Sequence, residues 1–112
     1  MPSRRALLSM ALWPLAAAAD DALIEAAERG DLATLRRRLD AGAPINARDS
    51  RGRNAVLAAT QGGQTDAARL LIARGADVRL ADRQGVTALA HAEQRGQRAI
   101  VALLREAAAR RR

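Results

Sequence analysis

Apolar residues recur at helical spacing in three segments of the chain, and each segment follows a shorter alanine-rich one. In the first of them, Leu32, Leu35 and Leu39 stand at positions i, i+3 and i+7. The corresponding stripes of the other two lie within residues 67–71 and 100–104. Such spacing predicts amphipathic helices whose apolar faces are covered by neighbouring elements. Polar stretches that contain glycine separate the segments, so the pattern predicts short helices joined by turns.

The whole pattern repeats at an interval of thirty-three residues. Asp49 is followed at this interval by Asp82, and Gly63 by Gly96. Self-similarity of this length is typical of solenoids, in which each repeat is one supersecondary unit stacked on the next. It predicts a single domain over residues 20–109, with repeats at about 20–48, 49–81 and 82–109.

Residues at fixed positions of the repeat favour particular local structures. Gly52 and Gly85 precede the first helix of their repeats, where a turn requires a positive φ that costs glycine little. Asn54 and Thr87 follow them and suit the N-cap, because their side-chain oxygens can accept an otherwise unpaired backbone N–H. Asp31 is likewise predicted to be the N-cap of the second helix of the first repeat.

The residues 49–81, DSRGRNAVLAATQGGQTDAARLLIARGADVRLA, are similar to the ankyrin repeat. The family pattern runs D-x-x-G-x-T-P-L-H-x-A-A-x-x-G, then an apolar helix, then L-L-x-x-G-A-D-V-N. The chain departs from it at T-P-L-H, which is replaced by Asn-Ala-Val-Leu at 54–57 and by Thr-Ala-Leu-Ala at 87–90. The resemblance implies an all-α fold, a solenoid of about three helix-turn-helix repeats with β-turn loops.

The resemblance also implies a function, because the family binds other proteins through its turn tips and the concave face of its first helices. Ser50 and Val86 of the turns and Glu28 and Arg29 of the first repeat belong to these positions. The strongest candidates for partner binding are polar and cationic residues of the second and third repeats: Arg51, Arg53, Gln61, Arg83, Gln84, Gln94 and Arg95. Stacking should bring their arginines into one cationic strip, so we expect a protein partner with an acidic surface.

The chain has a strong positive net charge, but the distribution of that charge along the sequence argues against nucleic-acid binding. The formal net charge is +7, and all 19 basic residues are arginine. Removing Arg4, Arg5 and the tail 110–112 lowers the charge of the remaining chain to +2. Trp13 is the single aromatic residue, so a basic face with stacking aromatics is missing. The alternative to a protein scaffold is an electrostatic binder of an anionic membrane surface, lipopolysaccharide or nucleic acid, acting through the tail.

Residues 1–19 have the layout of a secretory signal peptide. Two arginines precede an apolar run at 6–19, which ends in four alanines that suit a cleavage site. The run is too short to span a membrane and contains Pro14. The general secretory and twin-arginine routes both fit, and the competing interpretation is an apolar helix packed on the repeats. We expect cleavage before a first helix at 21–29 and a periplasmic or secreted mature protein.

Residues suited to catalysis are sparse. His91 is the only histidine, the chain has no cysteine or tyrosine, and Ser50 is the one serine outside residues 1–19. His91 and Ser50 fall in different repeats, so the sequence supports neither a nucleophile–base pair nor a metal site. We expect a non-enzymatic, monomeric protein without cofactor or metal, in which His91 is a partly buried structural residue.

Overall fold

The computed structural model describes residues 21–110, so the signal peptide predicted at 1–19 lies outside the described residues, as do the last two arginines. Residues 21–110 form six helices in three antiparallel pairs, which confirms the all-α repeat solenoid. The first pair is α1 (residues 21–29) and α2 (Leu32–Asp40). The second is α3 (Ala55–Gln61) and α4 (Thr65–Ala73), and the third is α5 (Ala88–Gln94) and α6 (Arg98–Arg110). Arg110 is the last described residue and belongs to α6.

Three helices begin at the side chains that the sequence predicts as caps. Asp31 accepts a hydrogen bond from the backbone N–H of Thr34 at 3.2 Å. Asn54 caps α3 through a 3.0 Å bond from the N–H of Leu57, and Thr87 caps α5 at 3.2 Å. The amide of Asn54 also donates to the carbonyl oxygen of Asp77 at 3.1 Å. The cap of α3 therefore ties its helix to the loop that follows α4.

The turns before α3 and α5 have the same construction and lie against each other. Oδ1 of Asp49 accepts from the backbone N–H groups two and four residues later, both at 2.9 Å, and Asp82 does the same at 2.9 and 3.0 Å. Gly52 has a φ of 79°, as predicted. A Cβ at Gly52 would lie 2.9 Å from the backbone nitrogen of Arg83. The two turns therefore stack backbone to backbone. Glycine is required at position 52 for two reasons: its φ is positive, and a side chain there would collide with the next turn.

The central repeat is covered on both sides. All residues of α3 up to Thr60 are buried, and so are Ala67, Ala68 and Leu71 of α4. Helix α4 packs between α2 and α6, while α3 packs against α5. Leu71 therefore lies where the sequence predicts it, inside the apolar stripe that meets both neighbouring repeats.

The third repeat has a polar outer face. By the thirty-three-residue interval, Leu57 of the central repeat corresponds to Ala90 of the third, Thr60 to Glu93, and Ile72 to Arg105. Glu93 and Arg105 form an ion pair of 2.8 Å between α5 and α6. Where the central repeat has a buried face, the third has a solvated one, as expected of a terminal repeat. Within residues 21–110 no helix combines the length and apolarity needed to cross a membrane.

Candidate functional site

A hollow of about 370 Å³ lies between the turns of the second and third repeats, beside the end of α3. We call it the arginine hollow; it is lined by Ser50, Arg51, Arg53, Gln61, Asp82, Arg83 and Gln84. Five of the seven residues predicted to bind a partner are therefore brought together in one place. Arg51 and Arg83 are exposed at its rim and form no ion pair within the described part of the chain. The backbone N–H of Arg83 donates to the carbonyl oxygen of Arg51 at 3.3 Å, which holds the two turn tips side by side.

Arg53 differs from its predicted role. The residue is only 8% exposed, and its guanidinium is engaged by three neighbours. Nε donates to Oδ2 of Asp49 at 3.0 Å, and Nη1 donates to Oε1 of Gln61 at 2.8 Å and to Oε2 of Glu28. The sequence predicts Arg53 to be a cation available to a partner, whereas in the structure its side chain ties the first repeat to the second. A β-turn position next to a glycine gives no sign that the side chain folds inward.

Arg53 faces two carboxylates, so its positive charge is compensated within the protein. Burial alone would raise the pKa of Asp49, but hydrogen bonds from the backbone and guanidinium of Arg53 and from the N–H of Arg51 outweigh it and hold that pKa below its usual value. Burial would likewise lower the pKa of Arg53, and its bonds to Glu28 and Asp49 raise it instead. Arg53 is therefore a permanent cation whose charge is already compensated inside the protein.

The two predicted residues at the end of α5 lie apart from the arginine hollow. Arg95 caps α5, is exposed, and donates from Nη1 to the carbonyl oxygen of Gln61 at 3.4 Å. Gln94 is exposed beside it. Gln61 itself is half-buried because its side chain accepts from Arg53. The predicted set is thus divided into a hollow at the turn tips and a separate pair on the third repeat.

A second hollow of about 200 Å³ adjoins the first and shares Ser50, Arg51 and Arg53 with it. We call it the acidic hollow, since its opposite wall on α1 carries Asp21 and Glu25 around Ile24, with Asp49 at its floor. These two carboxylates are not among the binding residues predicted from the sequence. The spacing of the acidic residues does indicate a shared acidic surface. Asp21, Glu25 and Glu28 stand at i, i+4 and i+7, so they lie on one face of a helix.

His91 lies outside both hollows, on the half-buried part of α5. Its Nε2 is buried and has no hydrogen-bond partner in the described structure. Burial lowers the pKa of His91 and the charge of Arg95 lowers it further, while Asp82 partly opposes them. The imidazole is therefore held neutral as a packed side chain, in agreement with the structural role expected of it. Among residues 21–110 no three His, Asp or Glu side chains come together in an arrangement that could hold a metal ion.

Comparisons with known proteins agree with this architecture. The profile of the family described as "Ankyrin repeats (3 copies)" matches residues 23–110. A crystal structure of an ankyrin repeat domain from Acinetobacter baumannii AYE is similar, with 40% sequence identity and a TM-score of 0.74 over 77% of this chain. The match covers 46% of that domain, so the present chain spans about half its length. No protein of curated function matches the chain.

Proposed function

Because the chain belongs to the ankyrin repeat family, whose members are in general protein–protein interaction modules, we propose that it is a non-catalytic scaffold for an acidic protein partner. The partner docks on the turn tips of the second and third repeats. The observation that carries the proposal is the arginine hollow, a shared concavity lined by Arg51 and Arg83, which are both exposed and form no ion pair among the described residues.

The chemistry of the hollow favours carboxylates. Arginine presents a planar array of donors that matches a carboxylate in two-point contacts, and it is enriched at the energetic centres of protein interfaces. Gln84 at the rim adds an amide that can donate or accept. Since both arginines belong to turns braced by Asp49 and Asp82, their backbones are held before a partner arrives. Binding then requires ordering of side chains alone, which limits its entropic cost.

A pair of charge reversals tests this surface. The protein and its variants are used to capture binding partners from a periplasmic extract of the native organism, and affinities are measured for each partner recovered. Arg51→Glu with Arg83→Glu should abolish binding and leave the melting temperature nearly unchanged. Arg36→Glu with Arg98→Glu provides the matched control, because both arginines are exposed and lie on the second helices of their repeats. Equal binding by the two double variants would contradict docking at the turn tips.

A salt titration distinguishes this proposal from an electrostatic binder of an anionic surface. Contacts with many phosphates lose affinity steeply as salt rises, whereas a packed protein interface with a few ion pairs changes modestly. Binding to vesicles that contain anionic lipid, with a steep loss between low and physiological salt, would favour the alternative. Light scattering of the free protein tests the monomeric state that we propose with it.

Export from the cytoplasm is the remaining part of the proposal and is supported by residues 1–19 of the sequence. The arginine pair, the short apolar run and the four alanines stand immediately before the first helix, α1. Intact-mass measurement of the native protein should show a chain that begins at Ala19 or Asp20. A native protein that still begins at Met1 or Pro2 would contradict export by cleavage of this leader.

A further inference from the structure

The groove formed by the two adjoining hollows has opposite free charges at its two ends. Arg53 forms direct ion pairs with Glu28 and Asp49, which compensate its charge and leave one negative charge in excess. Of the other charged residues, Asp21 and Glu25 on α1 lie at one end, Arg51 lines both hollows, and Arg83 lies at the other end beside the half-buried Asp82. Within residues 21–110 neither Asp21 nor Glu25 forms an ion pair. The groove is therefore bipolar, unlike the uniform cationic strip expected from the sequence.

The acidic end belongs to the first repeat alone. At the same positions of the central repeat, thirty-three residues later, Asp21 and Glu25 are replaced by Asn54 and Ala58. Both of these are buried, Asn54 as the cap of α3 and Ala58 in the core. The carboxylates are thus not a requirement of the repeat, which tolerates an apolar residue where Glu25 stands.

We propose that the groove takes an extended segment of the partner that carries a basic side chain opposite Asp21 and Glu25 and an acidic side chain, about three residues away, between Arg51 and Arg83. This inference rests on the proposed function and adds the charge pattern of the partner to it. Each end of the groove favours a partner side chain of the opposite charge, because a side chain of the same charge would be repelled there.

The spacing follows from the repeat. The acidic hollow lies between the first and second repeats and the arginine hollow between the second and third, so their centres are about one repeat step apart. Packed helices lie roughly 8–10 Å apart. A chain in the extended polyproline II conformation has three residues per turn and advances about 3.1 Å per residue, so side chains three residues apart lie on one face and span about 9 Å. A segment with acidic side chains at both positions would pair with the arginines of the hollow. It would also place a carboxylate next to Glu25, where the like charges repel each other.

Three synthetic peptides test the charge pattern. They share an uncharged sequence around Lys-Pro-Pro-Glu, Glu-Pro-Pro-Glu or Lys-Pro-Pro-Lys, in which the prolines favour the polyproline II conformation. Their dissociation constants are measured from the shifts of backbone amide NMR signals, at an ionic strength of about 10 mM where screening is weak. The Lys–Glu peptide should bind about threefold or more tighter than either uniform peptide, since each exposed ion pair contributes modestly.

A charge reversal on α1 completes the experiment. Glu25→Lys should remove the preference, because the charge of the new lysine and that of Asp21 then cancel, so that the Glu–Glu peptide binds as tightly as the Lys–Glu peptide. Glu106→Lys is the matched control, because Glu106 is also an exposed helical glutamate without an ion pair in the described structure, and it should leave the order unchanged. If the Glu–Glu peptide binds wild type as tightly as the Lys–Glu peptide, the bipolar groove is refuted while an acidic partner stands. If no peptide shifts the amides of the groove, both proposals fail.

Discussion

Arg53 offers the most informative single perturbation of this fold. Its guanidinium joins α1, the turn before α3 and the end of α3 through Glu28, Asp49 and Gln61. Arg53→Met removes the charge and the donors while it keeps an unbranched stem of similar length in the same space. We expect the variant to fold with lower stability.

The magnitude follows from the burial of each partner. The side chains of Arg53 and Asp49 are 9% and 12% exposed, and loss of one member of a buried pair costs about 3–5 kcal/mol. Asp49 retains two backbone N–H donors at 2.9 Å, which lowers this cost. Glu28 is 45% exposed, so its contribution is that of a surface pair, below about 1 kcal/mol. Together these give a loss of about 2–3 kcal/mol.

Thermal unfolding followed by circular dichroism provides the measurement. For a domain of this size, a loss of about 2–3 kcal/mol corresponds to a decrease in Tm of roughly 10–20 °C. Arg51→Met is the control, since Arg51 belongs to the same turn but is exposed and forms no ion pair among the described residues. It should change stability by no more than about 0.5 kcal/mol. Equal melting temperatures for the two variants would show that the buried network does not stabilise the fold.

Three further predictions concern the core and the pH dependence of stability. Leu71→Ala should cost about 2–5 kcal/mol in urea unfolding, because Leu71 is fully buried between the repeats, and an unchanged transition would contradict that placement. Gly62→Ala should cost about 1–3 kcal/mol in the same assay, since its Cβ would overlap the carbonyl oxygen of Glu28, and a neutral result would refute this close approach. The free energy of unfolding should fall as the pH drops below about 6.5, because burial and Arg95 lower the pKa of His91 in the folded state and the unfolded chain binds the proton more readily. His91→Gln should flatten this part of the profile, and equal slopes for both proteins would exclude His91 as its cause.

The features that could be predicted from the sequence are those that depend on short stretches of chain. The caps at Asp31, Asn54 and Thr87 follow from residue type and position, because the bonding N–H lies three residues ahead in each case. The interval of thirty-three residues then determines how the helix pairs stack. Local chemistry and repetition together account for the fold.

The candidate site was predicted less completely because it depends on contacts between repeats. Arg53 and Glu28 are twenty-five residues apart, and only stacking brings their charges together. The position of Arg53 in the sequence indicated that it belongs to a turn. It did not indicate that the carboxylate of Glu28, from the preceding repeat, lies next to the Arg53 side chain. The acidic hollow was missed for the same reason, since Asp21 and Glu25 acquire a role only opposite Arg51.

The placement of the central repeat between two others has a consequence for local opening. Helix α4 contacts both α2 and α6, and the side chain of Gln97 donates to the carbonyl oxygen of Thr60 across the junction with the third repeat. Opening an outer repeat breaks one junction, whereas opening the central repeat breaks two. Amide hydrogens of α3 and α4 should therefore exchange with solvent only in global unfolding, while those of the outer repeats exchange through partial opening. A partner that lies along the bipolar groove would contact both junctions and slow exchange at the two ends together.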